Sequence, residues 1–296
     1  MKKMLLIATI ISILLFQNIA SAADFLSVDW DNVPEISNKT DFVDYVLKCE
    51  NNCQEVIPLV CTEGFFVNLE EFLRIAKNAQ HAKITWLDNE EENYALVLYE
   101  IKIYPGAKVA YAFSTGDISI LTVDEMQLYN EAVKIVEKVN CNNPSELQKE
   151  LLIHDEITRR ASYIDVEFGD EILRSCNAFG ALLDGQANCQ GYADAFYMLG
   201  TMCGFNVGKI QGTTNGVSHV WNTIELDGKY YGVDVTWDDA SFKMNDGREY
   251  NNYIYFNAPL EIMQVRHKWD SAYAPALQST IDNKYFYKAR EFSGLH

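Results

Sequence analysis

The sequence predicts a chain of mixed helix and sheet in two parts: a small α/β module, then a larger region that opens with two helices and contains an antiparallel hairpin. Three observations predict this. Helical and strand periodicities alternate over about residues 30–115. Helix-start signals follow at Thr122 and Asn143. Finally, Asp227-Gly228 separates two runs rich in β-branched and aromatic residues, a strong local hairpin signal.

Residues 38–50, NKTDFVDYVLKCE, set Phe42, Val43, Val46 and Leu47 at helical spacing. EVIPLVCT has the content of a buried strand, and NLEEFLRIAKNA returns to helical spacing through Leu69, Phe72, Leu73 and Ala76. KITWL, YALVLYEIKIY and KVAYAF predict three strands, the last two joined by a turn at Pro105-Gly106. Residues 23–118 are thus expected to form an N-terminal module, and it carries no chemical motif.

The second domain is expected over 119–296. Thr122-Val-Asp-Glu125 is a capping box that opens a helix to about Val139, and Asn143-Pro-Ser-Glu146 starts another to about Arg160. From Cys189, the spacing of Ala193, Phe196, Tyr197, Gly200, Met202 and Cys203 predicts a helix that stops at Gly204. NVGKIQG is a short strand, and VSHVWNTIEL and KYYGVDVTW form the hairpin.

Residues 1–22, MKKMLLIATIISILLFQNIASA, have two lysines, an apolar run from Met4 to Phe16 and the small residues Ala20-Ser21-Ala22. This is the pattern of a cleavable export signal with a cut after Ala22, and the run is too short to span a membrane comfortably. The expectation is a secreted or periplasmic protein with no membrane anchor after cleavage. The net charge is −18, and loss of Lys2 and Lys3 leaves 22 basic against 42 acidic residues, or −20. Such a surface argues against nucleic acid and anionic lipid as partners. Seven cysteines, at 49, 53, 61, 141, 176, 189 and 203, leave at least one thiol without an intramolecular partner. The other six could form up to three bridges or be buried and reduced.

The hairpin fixes a register. A two-residue turn pairs Leu226 with Lys229, which puts His219 opposite Thr236 and Trp221 opposite Asp234. His219, Trp221, Thr223, Tyr230, Asp234 and Thr236 then share a polar face, while Val220, Ile224, Leu226, Tyr231, Val233 and Val235 share a core face. His219 and Asp234 are diagonal neighbours about 7 to 8 Å apart at the backbone, a gap that their side chains close. The carboxylate would fix the tautomer and orientation of the ring. Cys189 stands where a helix begins, and a thiol at a helix N-terminus beside an imidazolium ionises more readily. The expected roles are Cys189 as nucleophile, His219 as acid and base, and Asp234 as the group that orients the ring.

These residues carry a resemblance. NCQGYADAF, the following strand and SHVWNTIELDGKYYGVDVTWDD resemble the transglutaminase-like superfamily of cysteine enzymes. IHDEITRRASYID and NAFGALLDGQANC extend it upstream, and YNNYIYFNAPLEIM and RHKWD extend it downstream towards the exported bacterial branch, over about residues 120–290 in all. The resemblance implies an α+β fold with a papain-like core, in which the nucleophile helix packs on an antiparallel sheet, and acyl transfer through a thioester. It implies the same Cys189, His219 and Asp234 triad, with the N–H of Cys189 as one oxyanion donor and Tyr163 or Gln186 as candidates for the other. Trp221 and Asn222 resemble motif residues that shape or brace the site, although Asn222 falls on the core face. The expected partner is a protein or peptide substrate, with envelope association as one setting. No cofactor and no metal is expected.

Other patterns have plainer readings. Adjacent residues on a helix point apart, so His154-Asp155 reads as a packing position. Asp238 and Asp239 match no calcium loop and read as solvated carboxylates. Gly185–Gly191 lacks the phosphate-loop pattern, and Cys49-x3-Cys53 has no second pair for zinc. The functional expectation is a peptidase or amidohydrolase. The alternatives are a protein-glutamine transglutaminase with an amine acceptor, an inactive relative that binds peptides or glycans, and an envelope protein whose N-terminal module does the work.

Overall fold

The computed structural model describes residues 24–166, 173–239, 242–243, 249–250, 253–279, 284–286 and 288. The expected export signal, 1–22, lies outside them. The chain divides into two units, 1–103 and 104–296.

In the first unit, strand β1 (Glu35–Ile36) pairs parallel with β2 (Val56–Thr62), and β2 pairs antiparallel with β4 (Tyr94–Ile103), which pairs antiparallel with β3 (Ala79–Asn89). Helices α1 (Lys39–Asn51) and α2 (Leu69–Ile75) are each capped by an asparagine, Asn38 and Asn68, whose side chain accepts an N–H of the first turn. Phe42 and Phe72 bring the helices onto Tyr99 of β4, where Phe72 and Tyr99 stack at 4.1 Å. Phe25, Trp30, Val60, Leu96 and Leu98 form a separate apolar cluster. Burial of each such side chain contributes about 1.5–3 kcal/mol.

The expected third strand of this module, KVAYAF, is instead helix α3 (Pro105–Thr115). Pro105 occupies the first helical turn, and Gly116 ends the helix at φ 76°, a pair of stop and start signals that outranks the β-type composition between them. Gly106 donates its N–H to Asp194 Oδ2 at 3.0 Å, and an added Cβ there would lie 2.7 Å from the Asp194 carboxylate. Asp194 belongs to the second unit, so α3 does too, and the division falls at Ile103/Tyr104 rather than at 118.

The second unit continues with α4 (Val123–Asn140) and α5 (Glu146–Arg160). The Thr122–Glu125 box is formed in both directions. The second box is not Asn143 with Glu146 but Ser145 with Gln148, because Asn143 sits at φ 52° before the helix. Short strands β5 (Ser162–Tyr163) and β6 (Gln186–Ala187) pair parallel and lead into α6 (Cys189–Met202). A four-stranded antiparallel sheet follows in the order β12-β7-β8-β9, from β7 (Val207–Thr214), β8 (Val217–Leu226), β9 (Lys229–Val233) and β12 (His267–Trp269). Between β9 and β12 lie the single turn α7 (Val235–Asp238), a two-stranded ribbon of β10 (Phe242–Lys243) and β11 (Glu249–Tyr250), and α8 (Leu260–Arg266).

Helix α6 packs on β7 and β8. Its Phe196 and Leu199 join Ile224, Leu226, Tyr231 and Val233 of the sheet and Ile153 and Ile157 of α5 in one core. A second core, with Ile210, Trp221, Tyr255, Met263, Leu277 and Phe286, involves the C-terminal segment. Among the described residues no helix is long and apolar enough to cross a membrane.

Candidate active site

Cys189 is the first residue of α6. Asn188 caps the helix by accepting the N–H groups of Gln190 and Gly191 at 3.0 and 3.2 Å, and this cap leaves the N–H of Cys189 unused. The close fit depends on Gly191, because a Cβ there would come within 2.6 Å of Ser175 O.

The hairpin register is the expected one from Leu226↔Lys229 to Asn222↔Val233. Asp227 and Gly228 adopt φ 51° and 70°, the left-handed pair of a type I′ two-residue turn. The expected pairing of Asp234 and Thr236 with β8 is not formed. Strand β9 ends at Val233, and Asp234 turns away as the N-cap of α7, accepting Trp237 N–H on Oδ1 at 3.1 Å. This turn, rather than a strand diagonal, brings the carboxylate to the ring. His219 Nε2 donates to Asp234 Oδ2 at 2.7 Å, and Cys189 lies near enough to act on the charge of the same ring. With Nε2 committed to Asp234, Nδ1 is the ring nitrogen that remains for a second partner.

Electrostatics follow from burial and company. Burial opposes a charged His219, but Asp234 and Cys189 override it and hold its pKa up to about 10. Burial also opposes a charged Asp234, but His219 and His267 override that and lower its pKa to about 2. His267 Nε2 reaches the same Oδ2 at 2.8 Å, and sequence reasoning did not assign it a role. A signal was present: His267-Lys-Trp269 repeats the His-x-Trp spacing of His219-Val-Trp221, which sets both side chains on one face of a strand.

The face expected to be polar is in fact buried. His219 is 5% exposed and Trp221 1%, and their rings stack at 5.9 Å with His267, Trp237 and Trp269 packed around them. Gly212 makes room for this layer, since a Cβ there would sit 2.7 Å from the Trp221 ring. Asn222 does lie on the core face, donating to Ala193 O at 3.0 Å and Gly208 O at 3.2 Å, and so ties β8 to α6 and β7. Tyr163 is half exposed, its hydroxyl donates to Asp165 Oδ1 at 3.0 Å, and burial with Asp165 and Cys189 nearby raises its pKa to about 12. Gln186 is exposed and pairs with Ser162.

His154 is the packing position expected, and the reading of Asp238 and Asp239 changes. His154 is fully buried, and its Nδ1 reaches Asp155 Oδ1 at 3.1 Å despite their adjacency. Its Nε2 lies 3.3 Å from Asp238 Oδ2. Asp238 is therefore a buried ion-pair partner rather than a solvated carboxylate, and Asp239 accepts the Tyr192 hydroxyl. All seven cysteines are free thiols, and Cys176 Sγ accepts from Asn188 Nδ2 at 3.2 Å.

Among the described residues, His219, Asp234 and His267 are the group whose ligand-type atoms lie close enough for a metal, within 4.8 Å of one another. Their 2.7 and 2.8 Å contacts are direct hydrogen bonds, shorter than the about 3.3 Å between two ligands of a tetrahedral zinc. A cavity of about 740 Å³ in this unit is lined by His267, Leu260, Gln264, Lys268, Trp269 and Leu277 among others.

No protein-family model and no curated protein sequence matches the chain. Among solved structures it is similar to a TGase, at 13% identity and a TM-score of 0.35, over 69% of this chain and 59% of that one. It is also similar to a candidate cysteine protease from Cytophaga hutchinsonii, at 13% identity and a TM-score of 0.30, over 53% and 65%. A third similarity is to a candidate protease from Parabacteroides distasonis ATCC 8503, at 10% identity and a TM-score of 0.28, over 69% and 45%. All three likenesses are distant. Each match spans less than two thirds of the other chain.

Proposed function

We propose that the chain is a transglutaminase-like cysteine enzyme that hydrolyses peptide or side-chain amides through a thioester on Cys189. The observation that carries this reading is the junction at His219, whose Nε2 donates to Asp234 at 2.7 Å and whose charge Cys189, at the start of α6, also favours. A ring whose pKa is held up to about 10 is an imidazolium at neutral pH, the state that stabilises a neighbouring thiolate.

In the reaction, the sulfur attacks the carbonyl carbon and the N–H of Cys189 donates to the oxyanion. His219 gives its proton to the departing nitrogen, the C–N bond breaks, and a thioester remains. Water then loses a proton to His219 and adds to the thioester, the C–S bond breaks, and release of the carboxylic acid leaves the thiolate and the imidazolium as they began. Hydrolysis is favoured over transfer because water needs no binding site of its own. The export-type residues 1–22 support action outside the cytoplasm, on a protein or peptide substrate.

The test is mass spectrometry of peptide libraries incubated with the protein, with and without a primary amine. Cleaved or deamidated products that vanish in Cys189→Ser and fall at least about a hundredfold in His219→Ala are expected. Loss of ammonia with amine addition would make the enzyme a transferase, and unchanged libraries would leave a binding protein.

A further inference from the structure

We propose that His267 is a positioning residue of this site, a second and charged histidine that donates to the same Asp234 oxygen as His219 and supplies the positive charge that balances a Cys189 thiolate. The inference rests on the cysteine-enzyme reading and deepens it.

The charge follows from what the two ring nitrogens face. Nε2 of His267 lies 2.8 Å from Asp234 Oδ2, and Nδ1 lies 3.2 Å from the carbonyl oxygen of Met263. A neutral imidazole carries one N–H and one lone pair. Here both nitrogens point at acceptors, so a neutral ring would aim a lone pair at an oxygen in a buried setting. The ring satisfies both contacts only with both protons. It has no room to choose otherwise: His267 is 1% exposed, and Trp221, Trp237 and Tyr255 pack against it with ring centroids 4.8, 5.7 and 5.0 Å away. Pairing of His267 with Thr214 in the sheet fixes the backbone as well.

The groups that face His267 are Asp234, His219 with its ring 5.8 Å away, and Tyr255. Arg266 and Lys268 flank it in the chain; the Arg266 guanidinium lies over Trp237 at 5.4 Å, and Lys268 is exposed. Asp238 accepts the Tyr255 N–H and shares the His154 ring with Asp155, so its nearest cation is His154 rather than His267. Around Oδ2 there are thus two imidazolium rings and one carboxylate. That set is one positive charge in excess, and buried charge without a counter-charge is costly. A thiolate at Cys189, one of the groups that hold the proton on His219, would make the set neutral.

The experiment is iodoacetamide labelling of the full-length protein at pH 6, read by mass spectrometry at Cys189, with exposed Cys141 as the internal reference. It is paired with ¹⁵N spectra of histidine-labelled wild-type protein, in which the His267 ring is assigned through its contacts with Trp221. His267→Gln, which keeps a donor and loses the charge, is expected to label Cys189 about tenfold more slowly, with its unfolding midpoint measured alongside. His267→Lys, which keeps the charge, is expected to recover part of the rate. The wild-type ring should show two protonated nitrogens at pH 7. A single protonated nitrogen, or His267→Gln labelling within twofold of wild type, would overturn the proposal. If wild-type Cys189 labels no faster than Cys141, the nucleophile reading falls instead, and the ring spectrum still decides the charge of His267.

Discussion

Two histidine–carboxylate pairs stand at the two ends of the single turn α7, and they are built differently. Asp234, its N-cap, receives three donors, from His219, His267 and the Trp237 N–H, and company overcomes burial to keep it ionised with a pKa of about 2. Asp238, its last residue, has His154 and the Tyr255 N–H, and burial wins, raising its pKa to about 6. His154 is held protonated up to about 9 against burial by Asp155 and Asp238. The first pair has a thiol as its next neighbour, whereas the second is closed off by the rings of Tyr253 and Phe256 at 5.1 and 5.3 Å. A buried His–Asp contact is thus no sign of chemistry by itself. What distinguishes the first pair is a thiol near its ring, which the second lacks.

The strongest way to break this comparison is to neutralise each carboxylate in turn. Asp234→Asn is expected to slow alkylation of Cys189 at pH 7 by about a hundredfold. Asp238→Asn leaves His154 buried with one carboxylate fewer, and is expected to cost about 3 kcal/mol in urea unfolding while Cys189 labels within about threefold of wild type. Equal losses of thiol reactivity in the two variants would erase the distinction.

The register of this region was legible and its ends were not. Asp227-Gly228 fixed which residues of β8 and β9 face one another, because that dipeptide favours the two positive φ angles of a two-residue type I′ turn. Local pattern has no means of stating where pairing stops: VDVTWD reads as strand by composition, yet Asp234 leaves the sheet because its side chain caps a turn. The same limit hid the burial of His219 and Trp221, whose cover comes from residues such as Tyr255 and His267, far along the chain. KVAYAF is a related case: it has the composition of a strand, and the signals that make it a helix, Pro105 and Gly116, stand at its borders. Cys189 at a helix start was legible, because Asn188 and Gly191 are local signals; its contact with His219 was an inference from chemistry.

The second pair also sets a pH dependence. The folded protein keeps a proton on His154 up to about pH 9, whereas an unfolded chain releases it near the ordinary 6.5. This contribution to stability is therefore whole below about pH 6.5 and is lost as pH rises through about 9. Glu150, held protonated by burial up to about 8, and His219, held up to about 10, act in the same direction. Urea midpoints are expected to fall across this window, with His154 accounting for about 3 kcal/mol of the change. In His154→Gln the slope should be shallower, and an unchanged slope would show that the ring is not charged in the folded state.

The smallest expected effect sharpens the contrast most cleanly, because it touches the second pair without altering its charges. The Tyr253 hydroxyl donates to Asp155 at 2.9 and 3.1 Å on its two oxygens, and its ring lies against His154. Tyr253→Phe keeps the ring and removes the donor, so Asp155 loses one hydrogen bond from an uncharged donor and keeps its contact with His154. The expected cost is about 1 kcal/mol in urea unfolding, with the labelling rate of Cys189 unchanged at every pH. A change in that rate would mean that the His154 end of α7 communicates with the Asp234 end, and that the two pairs act as one network joined through the turn they share.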